Sequence, residues 1–352
     1  MTKASLPLLG VIDLMQSFDR HFISFRFTVG DKKSMVTCDL LSGGPYKPTV
    51  GFLRLLESIR GSGCTQLGCY GIVLPGKGVR IRHSGVTPDR QSSLEGLELA
   101  SALFFTPLSI NFMLSTIQNA SLVRLKLRNT GLTPAQWASF LKNLDLGFLR
   151  ELDVEVSCPA QSLVQFLCHH RVESLTICPG IATRALSPPR LSPSRHHRLM
   201  TLLHSLTKLD GTPSYILSLL RYAHVPSNLK YLGIQLDQST LGDSLLSDIL
   251  FCTEHFPGLD ELCVYIPEGI DPRALALPNN HSPTCLVKDL TLHMNDRTIV
   301  RKPIPCLLFS DWLAFRKITV RILAIGFPWS QGLCCCNSKS CFKSLTIAHS
   351  NH

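Results

Sequence analysis

The chain has 352 residues, 45% hydrophobic and 17% charged, with a formal net charge of +10. That balance excludes global disorder, which requires low hydrophobicity together with high net charge. The positive charge is spread thinly, with no dense Lys/Arg run and no basic stripe interleaved with aromatics; a mildly basic surface is the plainer reading, and binding to nucleic acid or another anionic surface is the alternative.

At the start, the apolar stretch from Leu6 to Ile12 is broken by Pro7, closed by Asp13 and followed by no small-residue cleavage site, so it makes a poor signal peptide. No segment reaches the roughly 18 uncharged apolar residues of a membrane helix. A reducing compartment, cytoplasmic or nuclear, is expected, with free thiols and the Asn119-Ala120-Ser121 sequon unused. Residues 1–63 read as a poorly defined N-terminal capping region. It holds a weak strand at Phe22/Phe25/Phe27 and a Gly-, Ser- and Lys-rich stretch at 31–47 that separates this strand from the rest.

Residues 64–352 carry a repeat. Its clearest copy, Leu122-Val123-Arg124-Leu125-Lys126-Leu127-Arg128-Asn129-Thr130-Gly131-Leu132, fits LxxLxLxxNxL with Thr130 at the Asn position. The same three anchors recur at Leu94/Leu97/Leu99, Leu149/Leu152/Val154 and Val172/Leu175/Ile177. They recur again at Leu229/Leu232/Ile234, Leu259/Leu262/Val264, Val287/Leu290/Leu292, Phe315/Ile318/Val320 and Phe342/Leu345/Ile347. Leu206/Leu209 is a weaker copy with Gly211 at the third anchor, and Cys64/Leu67/Cys69 an early one. Helix signals fill the intervals. Thr133-Pro134 and Thr212-Pro213 each offer a capping hydroxyl followed by proline in the first turn. Cys158-Pro159 opens a helix at 160–167 with Ser157 as its cap, and Asp243 leads 244–254. Each unit is then a strand, a turn and a helix that cannot bury its apolar face alone and must stack on its neighbours. The expected fold is α/β: a leucine-rich-repeat solenoid, or horseshoe, with a parallel concave sheet and convex helices. The Pro/Ser-rich segment 182–198 lengthens one interval and should protrude as a loop.

Residues 94–235 resemble the repeat region of the F-box-type leucine-rich-repeat proteins of mushroom-forming fungi. The likeness rests on Phe104-Phe105-Thr106-Pro107-Leu108, Asn119-Ala120-Ser121 before the Leu122 strand, Trp137, Phe166-Leu167-Cys168-His169-His170, and the junction from Leu206 to Ile216. The resemblance implies the substrate-gripping part of a ubiquitin-ligase adaptor, whose F-box would dock the ligase core. Leu6-Pro7 matches the Leu-Pro opening of an F-box, but the acidic, Trp-containing helical pattern that follows it in the family is not present here.

Catalytic signatures are missing: there is no GxxxxGK[ST], G-x-S-x-G or H-E-x-x-H, and no acid pair stands out, so the chain is read as a non-enzyme without cofactors. No CxxC pair exists among the 14 cysteines. Cys69, Cys178, Cys252 and Cys263 read as small core or strand residues. Adjacent cysteines point apart on a strand, so Cys334-Cys335-Cys336 with Cys341 is read as structural rather than a zinc site. His169 and His170 close a helix, where they ease its C-terminal dipole.

Strand alternation turns the residues flanking the second and third anchors onto the concave face. One group pairs Arg124, Lys126 and Arg128 with Glu151, Asp153 and Glu155, a ladder of charges expected to satisfy one another. The other is the candidate protein-binding face: Tyr231, Gln235, Glu261, Tyr265, Asp289, His293, Lys317 and Arg321, where exposed tyrosines amid polar groups offer contact area at low entropy cost. A solvated mixed face remains the alternative.

Overall fold

The second and third anchors fall on strands and most first anchors just before them, while Val287 and Phe315 lie outside the described residues. The protein, described by a computed structural model at residues 23–29, 32–38, 63–71, 93–105, 110–179, 201–220, 222–224, 228–236, 258–266, 289–295, 317–323 and 342–348, divides into two compact units. These are Met1–Val172 with Gly180–Thr183, and Glu173–Pro179 with Arg184–His352. Both are α/β, with mostly parallel sheets. The expected helix at 244–254 and loop at 182–198 lie outside the described residues.

In the first unit the strands are β1 (Ile23–Val29), β2 (Lys32–Cys38), β3 (Cys64–Gly71), β4 (Gly96–Ala100), β5 (Arg124–Arg128) and β6 (Glu151–Glu155), in spatial order β2-β1-β3-β4-β5-β6. From β3 to β6 they run parallel, with Leu67, Leu97, Leu125 and Leu152 side by side in one buried row. Parallel neighbours need a crossover. A 3-10 turn (Ala102–Phe105) and α1 (Ile110–Gln118) join β4 to β5, α2 (Pro134–Lys142) joins β5 to β6, and α3 (Ala160–His169) follows β6. The helices cover the anchors with Ile117, Trp137, Phe140 and Leu163, all fully buried, each contributing roughly 1.5–3 kcal/mol. Phe140 meets Phe105 and Trp137 edge-on, at centroid distances of 5.6 and 6.2 Å.

The strand at Phe25/Phe27 is not another parallel repeat: β1 pairs antiparallel with both β2 and β3. Only Gly30-Asp31 separates β1 from β2, which suits a hairpin and is far too short for a parallel crossover. The strand β2 also occupies the first part of the 31–47 stretch expected only to separate elements; its Met35-Val36-Thr37 run is strand-prone despite the flanking lysines.

The second unit contains β7 (Ser174–Cys178), β8 (Thr201–Leu202), β9 (Lys208–Gly211), α4 (Pro213–Leu220), β10 (Ala223–His224), β11 (Tyr231–Gln235), β12 (Glu261–Ile266), β13 (Asp289–Asn295), β14 (Lys317–Leu323) and β15 (Phe342–Ala348). Its main sheet runs β7-β9-β11-β12-β13-β14-β15, while β8 and β10 form a separate parallel pair. Leu175, Leu209, Leu232, Leu262, Leu290 and Ile318 share one row across the parallel strands. Gly211 replaces an apolar anchor because Ile177 fills its place: a Cβ there would lie 3.1 Å from the Ile177 Cβ. At the far edge β15 pairs antiparallel with β14, against the expectation of one more parallel copy. Its register sets Ile347 opposite Ile318 and Leu345 opposite Val320. An alternation of period two reads the same in either direction, so the anchors could not reveal the reversal.

A backbone motif repeats with the anchors. The residue after the first anchor accepts two successive N–H groups from the next strand: Glu95 from Val123 and Arg124, Val123 from Arg150 and Glu151, Glu173 from Thr207 and Lys208, Thr207 from Lys230 and Tyr231, and Lys230 from Asp260 and Glu261. The first anchors themselves (Leu94, Leu122, Leu149, Val172, Leu206, Leu229, Leu259) are all buried.

Thr133 caps α2 as expected, completing a capping box in which its hydroxyl accepts from the Gln136 N–H while the Gln136 side chain accepts from the Thr133 N–H. Ser157, by contrast, does not cap α3, whose N-cap is Pro159 with no side-chain hydrogen bond. Its hydroxyl accepts from Trp137 Nε1 at 2.9 Å and donates to Glu155 at 2.8 Å, a stronger acceptor than any backbone group nearby offers. His169 and His170 each bring Nδ1 to a last-turn carbonyl of α3, at 2.8 Å in both cases. Nε2 of His170 also accepts the Leu146 N–H at 3.1 Å, which places the ring proton on Nδ1, and the ring stacks on Phe166 at 3.9 Å.

Candidate interaction face

In the second unit, alternation leaves one side of β9 and β11–β13 free of anchors. Tyr231, Gln235, Glu261, Tyr265, Asp289 and His293 all stand there, as expected. Register brings Tyr231 beside Glu261 and Glu261 beside Asp289; further along, Gln235, Tyr265 and His293 form another row. Lys317 and Arg321 occupy the matching positions of β14, opposite Asp289 and His293.

The tyrosines are half-buried rather than fully exposed, because they engage each other. Their hydroxyls lie 3.2 Å apart, bridging from the start of β11 to the far end of β12. Tyr265 stacks on His293 at 4.6 Å with the rings nearly parallel, and Lys208 Nζ sits 4.6 Å from the centroid of the Tyr231 ring. Beneath them Cys263 is only 1% exposed. Burial pushes its thiol from 9.0 up to about 11, against the downward pull of hydrogen bonds from the two tyrosine hydroxyls. Burial likewise raises both tyrosine hydroxyls above their ordinary range. These groups are neutral at physiological pH and suited to contact rather than to nucleophilic chemistry.

A polar cluster borders the aromatics. Asp210, 6% exposed, accepts from Gln235 Nε2 at 2.6 Å and packs over Gly233, where a Cβ would stand 2.6 Å from its carboxyl carbon. The Thr291 hydroxyl donates to Glu261 at 3.2 Å. Sequence reasoning missed Lys208 and Asp210, although they flank the second anchor Leu209 as the tyrosines flank theirs. In the sequence that strand reads only as a weaker copy, with Gly211 at its third anchor, and its outward positions are not assigned to the face.

The first unit's equivalent face departs from the expected ladder of charges that satisfy one another rung by rung: among the described residues only Arg128 forms ion pairs there. Register sets Arg124 beside Glu151 and Lys126 beside Asp153. Arg128, however, reaches back to Asp153 and lies 3.9 Å from Glu98, which also accepts the Tyr70 hydroxyl at 2.7 Å. Glu155 takes no arginine; it is 4% exposed and serves Thr130 and Ser157. Thr130, at the repeat's Asn position, does an asparagine's work there: its hydroxyl accepts the Leu132 N–H at 3.2 Å.

Among the described residues, no group of three or more His, Cys, Asp or Glu side chains could hold a metal ion, and no helix is long and apolar enough to cross a membrane. Leu6-Pro7, Cys252 and the Cys334–Cys341 cluster lie outside the described residues. No protein-family model matches the chain, and no match was found among curated proteins or solved structures.

Proposed function

We propose that the chain is a leucine-rich-repeat solenoid acting in the cytoplasm or nucleus as a non-enzymatic protein-interaction scaffold. The observation that carries this reading is the repetition itself: buried anchors in rows within each unit, and the carbonyl after five of the first anchors accepting two successive N–H groups from the next repeat. Units that complete one another's core in this way belong to stacked repeats. A partner would meet the Tyr231–Tyr265–His293 face, where large aromatic area and polar groups coincide. The role of substrate receptor for a ubiquitin ligase rests on the resemblance of residues 94–235. The alternative of an anionic partner is disfavoured by Asp210, Glu261 and Asp289, which would repel phosphates from this face.

The test is affinity capture with the intact chain and with a Tyr231→Ala/Tyr265→Ala variant that keeps the wild-type circular dichroism spectrum. Loss of specific partners from the variant supports the face; an unchanged set of partners removes it. Recovery of ligase core subunits with the intact chain is the result the adaptor reading requires.

A further inference from the structure

We infer that His170 is a proton-operated latch on the segment 143–150, which joins α2 to β6 and presents Phe148 to solvent. Leu144, Leu146 and Leu149 of this segment are buried, whereas Phe148 is 66% exposed, more than any other large apolar side chain among the described residues. The start of the segment is tied to helices: Asn143 Nδ2 donates to the Ser139 carbonyl at 2.6 Å, and the Asn143 carbonyl accepts from Gln118 Nε2 at 2.7 Å. Further along, the Leu149 N–H returns to the Leu146 carbonyl at 3.2 Å. The Leu146 N–H is held from outside the segment, by Nε2 of the buried His170 ring at 3.1 Å.

That bond exists in one protonation state only. A neutral imidazole with its proton on Nδ1 accepts at Nε2, but an imidazolium carries N–H groups on both nitrogens and accepts nothing. Protonation would therefore set donor against donor in a buried pair. It would not detach the ring from α3. Nδ1 still donates to the Phe166 carbonyl at 2.8 Å, the ring still stacks on Phe166, and the C-terminal end of a helix favours positive charge. The proton is thus supported on the helix side of the ring and costs the segment its acceptor on the other.

No counter-charge holds the protonated form closed. The titratable and charged groups on α2, on the segment and on α3 with the residues after it are Lys142, Asp145, Arg150, Cys168, His169 and Arg171, and α1 carries none. All six are exposed, and none forms an ion pair with His170. The latched state excludes a proton that the released state admits, so closure is complete above the ordinary histidine range and weakens as pH falls through it. Acidification then changes how Phe148 is presented while the anchor rows of the sheet stay in place. His169 supplies the contrast: its Nδ1 meets the Gln165 carbonyl at 2.8 Å, but its ring is exposed and holds no part of the segment.

The experiment is amide hydrogen exchange on the full chain, corrected for the intrinsic pH dependence of exchange. Protection of the Leu146 amide should fall about tenfold between pH 7.5 and 5.5, a linkage set by one histidine of ordinary proton affinity in the released state. The Trp137 amide, bonded to the Thr133 carbonyl within α2, should keep its protection, which separates release of the segment from loss of the fold. His170→Gln keeps an acceptor oxygen but cannot titrate, and should abolish the pH dependence; His169→Gln should retain it. Long-range nitrogen NMR of the wild-type ring at pH 7.5 should show the proton on Nδ1, a readout that needs no variant to fold. Leu146 protection that does not change with pH, an equal fall at Trp137, a pH dependence that survives in His170→Gln, or a ring proton on Nε2 would each overturn the inference.

Discussion

Replacing Glu155 probes the most heavily satisfied acid in the first unit. Its carboxylate is 4% exposed and accepts the Thr130 hydroxyl at 2.5 Å, the Ser157 hydroxyl at 2.8 Å and, more weakly, the Thr130 N–H at 3.4 Å. Ser157 in turn receives Trp137 Nε1, so one carboxylate ties the turn after β5, helix α2 and the turn after β6 together. Hydrogen bonds to a charged group contribute about 1.5–3 kcal/mol each, but the hydroxyls can rotate toward other acceptors once the carboxylate is gone. The expected loss for Glu155→Ala is therefore about 3 kcal/mol, the cost of one such bond plus a weakened second. Glu155→Gln should lose about 1–2 kcal/mol, because its amide keeps an oxygen but turns a donor group toward donors. The assay is urea unfolding followed by circular dichroism, with exposed Glu151→Ala on the same strand as control, expected within about 0.5 kcal/mol of wild type. A double-mutant cycle with Ser157→Ala should show coupling above about 0.5 kcal/mol. A Glu155→Ala protein as stable as the Glu151→Ala control would refute the network.

Thr133→Ala removes the capping hydroxyl of α2 and should cost about 1 kcal/mol in the same unfolding assay. Gly233→Ala drives a Cβ into the tethered Asp210 carboxylate and should lower stability by about 1–3 kcal/mol, whereas Gly96→Ala, opposed only by the movable end of Gln66, should change it by less than about 1 kcal/mol. Cys263 has its folded value raised from 9.0 to about 11, so its contribution is complete below pH 9 and disappears as pH rises through 11. Thermal unfolding of wild type should thus weaken across pH 9–11, by up to about 1.4 kcal/mol per pH unit from this group. Cys263→Ala should show a shallower decline over that window. The raised tyrosines, Tyr231 and Tyr265, add to the loss only above pH 10.

The strand positions were legible because the repeat constrains three anchors per unit. Leu122, Leu125 and Leu127 are all buried, as are their counterparts at Leu229, Leu232 and Ile234. Helices α2 and α4 were legible through Thr-Pro starts, while α1 was missed because Pro107 precedes it and no capping pair announces it. Direction was not legible, since period-two alternation in β1 and β15 carries no polarity. On the candidate face, alternation assigned the side correctly for Tyr231, Tyr265 and His293, but not their mutual engagement. The link from Tyr231 to Tyr265 spans from one end of β11 to the other end of β12, which depends on side-chain reach rather than on spacing. The move of Arg128 from Glu155 to Asp153 has the same origin: Glu155 is drawn to Thr130 and Ser157 in the turns, so the arginine takes the diagonal carboxylate.

The stacked parallel register of the second unit is tested most directly by engineered cysteine pairs read by mass spectrometry of the oxidised protein. Glu261 and Asp289 are register partners on adjacent parallel strands, whose spacing of about 4.8 Å lies within disulfide reach. The account predicts an intramolecular Cys–Cys peptide in Glu261→Cys/Asp289→Cys and none in Glu261→Cys/His293→Cys, where His293 is opposite Tyr265 instead. A crosslink in the second pair, or its absence from the first, would contradict the repeat stacking on which the scaffold reading stands.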